Sequence, residues 1–243
     1  MLRQGVLIGV GLGPGDPDLV TVKAARLIGA STVVAFFAKR GRVSNARTIA
    51  AGYFPAGCEE IALEYPVTTE IPFEDDAYVD ALARFYEESA ARLAAVLHDG
   101  RDVTLLCEGD PMLYGSFMHL FTRLKDSFEV EICAGVSGMS GCFAAARQPM
   151  TWGDDILTVM PATLPEDELV RRLRATDAAV VMKIGSNFAK LRRALHKAGV
   201  AERAVYVERG AMPGEKIMPL TQKPDDEAPY FSMVLVPGNG RRP

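Results

Sequence analysis

The opening of the chain constrains the fold most, because two apolar runs enclose a glycine-rich turn and a helical pattern. Residues 5–10 are apolar and β-branched, as in a buried strand. Alternate glycines follow, and residues 19–28 place apolar side chains at helical spacing, with Asp16 or Asp18 as the expected cap. Residues 31–38 form a second strand-like run. This order predicts a βαβ unit and hence a parallel sheet.

Strand-like and helix-like segments keep alternating over the 243 residues, which predicts an α/β fold. A division near residues 115–126 separates two predicted domains, 1–118 and 119–243, with a single doubly wound sheet as the alternative. We expect a loop at 65–76 and a frayed tail at 238–243. Further helices are predicted at 44–52, 77–98, 116–125, 139–147, 167–175 and 187–198, and further strands at 58–64, 102–107, 128–133, 157–160, 178–184, 204–208, 216–219 and 231–236.

Composition narrows the range of possible functions. A net charge of −4 disfavours a general nucleic-acid binder, because such proteins are usually basic. The apolar segments are too short for a membrane span. The four cysteines form no C-x-x-C pair and have no histidine beside them at ligand spacing, so we expect no metal site. These features predict a reduced, cytoplasmic protein without nucleic-acid or membrane partners.

Three glycine-bearing turns each follow a predicted strand, at residues 11–17, 109–111 and 134–138. Glycine lets the backbone approach a ligand closely, and the carboxyl ends of parallel strands form the usual ligand crevice. A tight turn without a ligand is the alternative for the first turn, and a carboxylate that only caps a helix is the alternative for the second. The sequence leaves open whether the three turns meet at one crevice.

The first turn does not fit two common nucleotide sites. In the pattern G-x-G-x-x-G, the sixth position is Pro14 when the count starts at Gly9, and Asp16 when it starts at Gly11. The second strand ends without the acid that would hold a ribose, and no Gly-Lys-Ser/Thr closes a phosphate loop. A dehydrogenase and an ATPase are therefore disfavoured.

The three turns together resemble a known family. The runs GLGPGDP (11–17), EGDPMLYG (108–115) and AGVSG (134–138) resemble, in this order, three signatures of the tetrapyrrole methyltransferase superfamily. This resemblance covers essentially the whole chain. It implies two αβα domains with the active site in the cleft between them, a homodimer, and S-adenosylmethionine as methyl donor, with S-adenosylhomocysteine as its product.

The same resemblance implies the residues that contact the cofactor, many of them through the backbone. Core packing is the alternative explanation for Leu113 and Ile184. The implied cofactor contacts are Pro14, Gly109, Asp110, Leu113, Ser137, Gly138, Ile184, Ala211 and Ser232.

Other runs resemble one branch of the superfamily, which methylates C20 of precorrin-2 or of its cobalt form. They are YPVT (65–68), YGSFMHL (114–120) and VMKIG (181–185), with a long helix before the second signature. We expect the metal-free substrate, and the cobalt form is the alternative. A superfamily member with another methyl acceptor, a nucleotide-binding oxidoreductase and a non-catalytic binding module are the remaining alternatives.

The expected chemistry suggests roles for polar side chains. An electron-rich tetrapyrrole supplies the attacking carbon, but that carbon must afterwards lose a proton, for which Tyr114 and Glu108 are the first candidates and His119 a third. The carboxylates of the substrate require basic partners. The basic candidates are Lys39, Arg40, Arg42 and Lys183, with Arg47 and Arg209 as further ones, and a solvated surface turn is the alternative for the cluster that begins at Lys39.

Overall fold

The computed structural model describes residues 3–66 and 76–240. The chain forms two compact units, Met1–Gly138 and Met139–Pro243. The first unit extends past the predicted boundary between residues 118 and 119, because Val130–Cys133 is a strand of its sheet.

The first unit is built on a wholly parallel five-stranded sheet. Its strands are β1 (Leu7–Gly11), β2 (Val33–Lys39), β3 (Glu59–Tyr65), β4 (Val103–Cys107) and β5 (Val130–Cys133). Their order across the sheet is β3-β2-β4-β1-β5, so β1 lies between β4 and β5. The predicted parallel sheet is therefore confirmed.

Helices cover both faces of this sheet. On one face, α1 (Val22–Gly29) and α2 (Asn45–Ala50) pack against alternate strand residues such as Val10 and Val34. On the other face, α3 (Asp76–His98) and α4 (Phe117–Leu124) pack against the intervening residues, among them Leu7. Burial of both faces explains why the strands read as continuous apolar runs.

The start of α1 differs from the expectation that Asp16 or Asp18 would cap it. Thr21 is the cap, because its hydroxyl accepts a hydrogen bond from the Ala24 N–H at 3.1 Å. Asp16 instead accepts from the Asp18 N–H at 2.9 Å and starts a single 3-10 turn, Pro17–Leu19. Asp16 thus caps the 3-10 turn and Thr21 caps α1, whereas the apolar spacing alone predicts one continuous helix.

The second unit carries a mixed sheet. It contains α5 (Gly138–Ala145), β6 (Leu157–Pro161), α6 (Glu166–Arg174), β7 (Ala178–Met182), α7 (Phe188–Ala198), β8 (Val205–Glu208), β9 (Lys216–Pro219) and β10 (Ser232–Val236). The strand order is β6-β7-β10-β8-β9, and β6 with β7 is the one parallel pair among the four pairs of neighbouring strands in this described sheet. Helices α6 and α7 pack on one face and α5 on the other, so this unit is also an αβα sandwich.

Two predicted segments extend beyond the described residues. Residues 67–75 of the expected loop at 65–76 and residues 241–243 of the expected tail lie outside them. Among the described residues, no helix combines the length and apolar character that crossing a membrane requires.

The contact between β1 and α4 gives a test of how the core of the first unit packs. A side-chain carbon on Gly9 would lie 2.5 Å from the buried Phe117 ring, so we expect Gly9→Ala to lower the free energy of unfolding by about 1–3 kcal/mol. Urea unfolding measures this loss. In a Phe117→Leu background the same substitution should cost less, because the crowding ring is gone. An equal cost in both backgrounds would contradict the packing described.

Candidate active site

Three loops meet at the carboxyl edge of the first sheet. They follow β4, β1 and β5, which are adjacent strands. The chain leaves β1 toward β2 through α1 on one face, and it leaves β4 toward β5 through α4 on the other face. Such a reversal of direction opens a crevice at the strand ends, where ligands of parallel sheets usually bind. The glycine turns thus share one edge.

Backbone hydrogen bonds join the first two loops directly. The Gly109 N–H donates to the Gly13 carbonyl at 2.8 Å, and the Gly13 N–H donates to the Gly109 carbonyl at 3.3 Å. Both glycines have positive φ, +80° at Gly13 and +68° at Gly109, which most side chains disfavour. The two turns therefore form a small bridge in place of two independent loops.

The approach of the third loop leaves no room for side chains. A side-chain carbon on Gly135 would lie 2.1 Å from the Gly109 carbonyl oxygen and 2.8 Å from the Gly11 Cα. A side-chain carbon on Gly11 would lie 2.5 Å from the Gly135 nitrogen. Backbone atoms cannot give way as a flexible side chain can, so glycine is required at both positions.

Asp110 ties the second loop to the third. One carboxylate oxygen accepts from the Met112 N–H at 2.9 Å, and the other accepts from the Gly135 N–H at 3.0 Å. The plain alternative, a helix cap, does not describe this geometry, because α4 begins only at Phe117. The side chain acts as a cross-link that fixes both loops at the edge.

Beyond Asp110 the second loop presents apolar side chains to solvent. Met112, Leu113 and Tyr114 are exposed, with 45% of Tyr114 accessible. Tyr114 also has a φ of 55°, a left-handed backbone conformation that costs a non-glycine residue roughly 1–3 kcal/mol. Exposed apolar groups on a strained turn are typical of a ligand-binding loop.

Glu108, the other predicted proton acceptor, lies differently. The residue keeps exposed surface, but its carboxyl accepts hydrogen bonds from the Asn45 side chain and the Ala46 N–H at the start of α2. Desolvation raises the pKa of Glu108, while these two hydrogen bonds act in the opposite direction. The carboxyl thus links the end of β4 to α2.

The predicted basic cluster lies along the same edge. Lys39 is the last residue of β2, which is a neighbour of β4, and Arg40 and Arg42 follow it with exposed side chains. Arg47 is held instead by two hydrogen bonds, of 2.6 and 2.8 Å, to the Glu60 carboxylate. This ion pair joins α2 to β3 through two partly exposed side chains.

The predicted residues of the second unit lie at one edge of its own sheet. Lys183 and Ile184 follow β7, Ala211 follows β8, and Ser232 begins the antiparallel strand β10. Lys183 and Ala211 have left-handed φ values of 54° and 58°. Ile184 is fully buried in the core formed with α6 and α7, as core packing would require.

Two further residues of this edge are engaged within the unit. Ser232 is buried, and its hydroxyl donates to the Pro229 carbonyl oxygen. The Arg209 Nε donates to the Pro213 carbonyl oxygen at 2.8 Å. These bonds shape the loops around the predicted positions of the cofactor contacts.

A polar cluster that the sequence does not predict lies beside the second loop. The Tyr65 and Tyr86 hydroxyls both donate to the Ser116 hydroxyl oxygen. Tyr65 and Ser116 occur in runs that resemble the C20 branch, but no spacing rule connects them. Within residues 3–66 and 76–240, no group of three or more His, Cys, Asp or Glu side chains is placed to hold a metal ion.

Comparisons with known proteins assign the family. The model of the Tetrapyrrole (Corrin/Porphyrin) Methylases matches residues 6–223, and the chain belongs to this family. The chain is 52% identical to a precorrin-2 C(20)-methyltransferase from Sinorhizobium sp over 239 residues, 98% of each chain. It is 31% identical to the cobalt-precorrin-2 C(20)-methyltransferase of Salmonella typhimurium over 236 residues, 96% of each.

A solved structure supports the same fold. The crystal structure of a cobalt precorrin-4 methyltransferase superposes with a TM-score of 0.74 at 24% identity, covering 98% of this chain and 96% of that one. The expected fold of two αβα domains is therefore confirmed, and the chain is an S-adenosylmethionine-dependent methyltransferase.

The glycine contacts give a stability test of the site. We expect Gly135→Ala to lower the free energy of unfolding by about 1–3 kcal/mol, because the new carbon meets backbone on two sides. Gly52→Ala is the matched control, since a carbon there meets nothing within 4 Å, and it should change stability by less than about 0.5 kcal/mol. Urea unfolding compares the two. Similar effects at both positions would refute the close approach of the loops.

Proposed function

We propose that the protein transfers the methyl group of S-adenosylmethionine to C20 of precorrin-2, giving precorrin-3A, in cobalamin biosynthesis. The observation that carries this proposal is the 52% identity to a precorrin-2 C(20)-methyltransferase along 98% of both chains. The cobalt form of the substrate is the second candidate, favoured by the 31% identity to the Salmonella enzyme.

The first unit offers suitable groups for the cofactor. Without side chains at Gly11 and Gly135, the loops can bring backbone N–H and carbonyl groups close to a ligand. Pro14, Leu113 and Ser137 are partly or largely accessible on these loops. When bound, the sulfonium group of S-adenosylmethionine supplies an activated methyl group. The proposed contacts of the first unit are Pro14, Gly109, Asp110, Leu113, Ser137 and Gly138, and those of the second unit are Ile184, Ala211 and Ser232.

The protein contributes to the reaction mainly by positioning the reactants. Carbonyl groups at the strand ends can orient the methyl group by weak C–H···O contacts. Holding the cofactor and the tetrapyrrole in line also removes the entropic cost of bringing them together in solution. Of the two proposed proton acceptors, Tyr114 is better placed, because it is exposed on the second loop while the Glu108 carboxyl is bound to α2. In its phenolate form, the Tyr114 side chain can receive the proton that the methylated carbon loses.

Basic side chains are available to bind the carboxylates of the substrate. Lys39, Arg40 and Arg42 project near the carboxyl edge, where arginine can bind a carboxylate through two parallel hydrogen bonds. Lys183 supplies a fourth cation at the corresponding edge of the second sheet. We propose these four residues as the substrate carboxylate contacts.

The reaction is tested by anaerobic incubation of the protein with precorrin-2 and methyl-labelled S-adenosylmethionine. We expect one methyl group per product molecule, placed on C20 by mass and NMR analysis. A parallel incubation with cobalt-precorrin-2 compares kcat/KM for the two substrates. Transfer to the cobalt form alone would replace the first proposal with the second, and transfer to neither would refute both.

Two matched variants test the role of the basic cluster formed by Lys39, Arg40 and Arg42. We expect Arg40→Ala to raise KM for the tetrapyrrole about tenfold, because one carboxylate loses a charged partner, while the Kd for S-adenosylhomocysteine stays within twofold. Arg26→Ala removes an exposed arginine in the last turn of α1 and should change neither quantity. Steady-state kinetics and titration calorimetry give the two values. Equal weakening of both ligands by Arg40→Ala would refute a specific role toward the substrate.

We further propose that two copies of the chain form the working enzyme and that it acts in the cytoplasm. The four cysteines are free, and three of them are buried in the αβα layers, as suits a reducing compartment. Light scattering of the purified protein tests the dimer.

A further inference from the structure

Ser116 occupies the N-cap position of α4 but does not cap it. A serine at this position usually has an extended backbone and accepts a hydrogen bond from an N–H of the first turn. Ser116 has helical backbone angles, φ −67° and ψ −19°, and makes no side-chain cap bond. Its hydroxyl oxygen instead accepts from Tyr65 and, at 3.2 Å, from Tyr86. The usual capping role therefore does not account for this serine.

The two tyrosines are held firmly. The Tyr65 ring, at the end of β3, lies 4.6 Å from the Phe85 ring and 5.6 Å from the Phe37 ring. Tyr86 is buried in α3, and the His119 ring of α4 stacks on it at 4.2 Å with an interplanar angle of 19°. Their hydroxyls therefore meet Ser116 from a rigid surface.

Helix α4 also contacts α3 about two turns after Ser116. The Arg123 guanidinium lies 5.8 Å from the centre of the Tyr86 ring and pairs with Glu87 of α3 at 2.8 Å. The second loop is thus bounded by two fixed points. At its start, Gly109 and Asp110 bond to the other loops, and at its end, Ser116 is bonded to two tyrosines.

We propose that the cluster of Tyr65, Tyr86 and Ser116 is a positioning device that holds the second loop, and with it Tyr114, in the geometry needed for methyl transfer. The left-handed backbone of Tyr114, two residues before Ser116, persists only where the surrounding structure enforces it. Loss of the Ser116 hydroxyl removes the fixed end of the loop. This inference rests on the proposed function, because its rate measurements use the C20 reaction.

The rate test uses four variants and one control. Ser116→Ala should lower kcat about tenfold with KM for both substrates within twofold, because a misplaced loop affects the reacting geometry more than binding. Tyr65→Phe and Tyr86→Phe keep the rings and should each show a smaller loss. Ser116→Thr keeps a hydroxyl and should restore most of kcat. Ser31→Ala removes another partly buried hydroxyl, bonded to Thr104 near the opposite ends of the strands, and should leave kcat unchanged.

Coupling between the variants separates this proposal from a general loss of packing. Once Ser116 is alanine, the tyrosine hydroxyls have lost their shared partner, so adding Tyr65→Phe or Tyr86→Phe should lower kcat little further. Fully additive losses, an unchanged kcat in Ser116→Ala, or failure of threonine to restore it would overturn the proposal.

A measurement independent of activity keeps the two proposals distinguishable. Hydrogen exchange of Met112 and Leu113, whose N–H groups bond to Asp110, should become several-fold faster in Ser116→Ala and stay unchanged in Ser31→Ala. Unchanged exchange in Ser116→Ala would refute the positioning role even if the wild-type protein methylates neither tetrapyrrole. If the wild-type protein methylates neither tetrapyrrole but Ser116→Ala still exchanges faster than the wild type, the cluster fixes the loop and the proposed function alone is refuted.

Discussion

The contact among three loop backbones, at Gly11, Gly109 and Gly135, is the constraint on which the rest of the first unit depends. A carbon added at Gly11 or Gly135 would lie within 3 Å of backbone atoms, so the three strand ends can converge only without side chains there. The convergence lets Asp110 reach the third loop and lets Gly13 and Gly109 exchange hydrogen bonds. The glycines of the loops and the hydrogen bonds between the loops thus follow from one packing condition.

Much of this arrangement could be predicted from the sequence. Apolar periodicity gave the strands and helices with ends close to those observed, because burial on both faces leaves a clear pattern in the strands. The three glycine-bearing turns indicated the edge of the candidate site, because each turn comes at the end of a predicted strand. The motifs that resemble the tetrapyrrole methyltransferases identified the family, which the family model and the relatives confirm.

The parts that could not be predicted depend on contacts between distant residues. The extent of the first unit follows from the pairing of β5 with β1, more than one hundred residues apart, which no local pattern records. Thr21 replaces Asp16 as the cap of α1 because a 3-10 turn intervenes. The partner of Asp110, and the meeting of two tyrosines at Ser116, likewise depend on how the elements pack. Nor does a local pattern show that β10 runs antiparallel to its neighbours β7 and β8.

The position of β1 has a consequence for how the protein is made. Among the strands of its sheet β1 is synthesised first, yet its neighbours in the sheet are β4, which begins at Val103, and β5, which begins at Val130. At a synthesis rate of roughly 5–20 residues per second, β1 waits on the order of several seconds before either partner exists. During that interval its apolar side chains and its backbone N–H and C=O groups have no partner strand. The nascent chain is therefore most prone to aggregate before the fourth strand emerges.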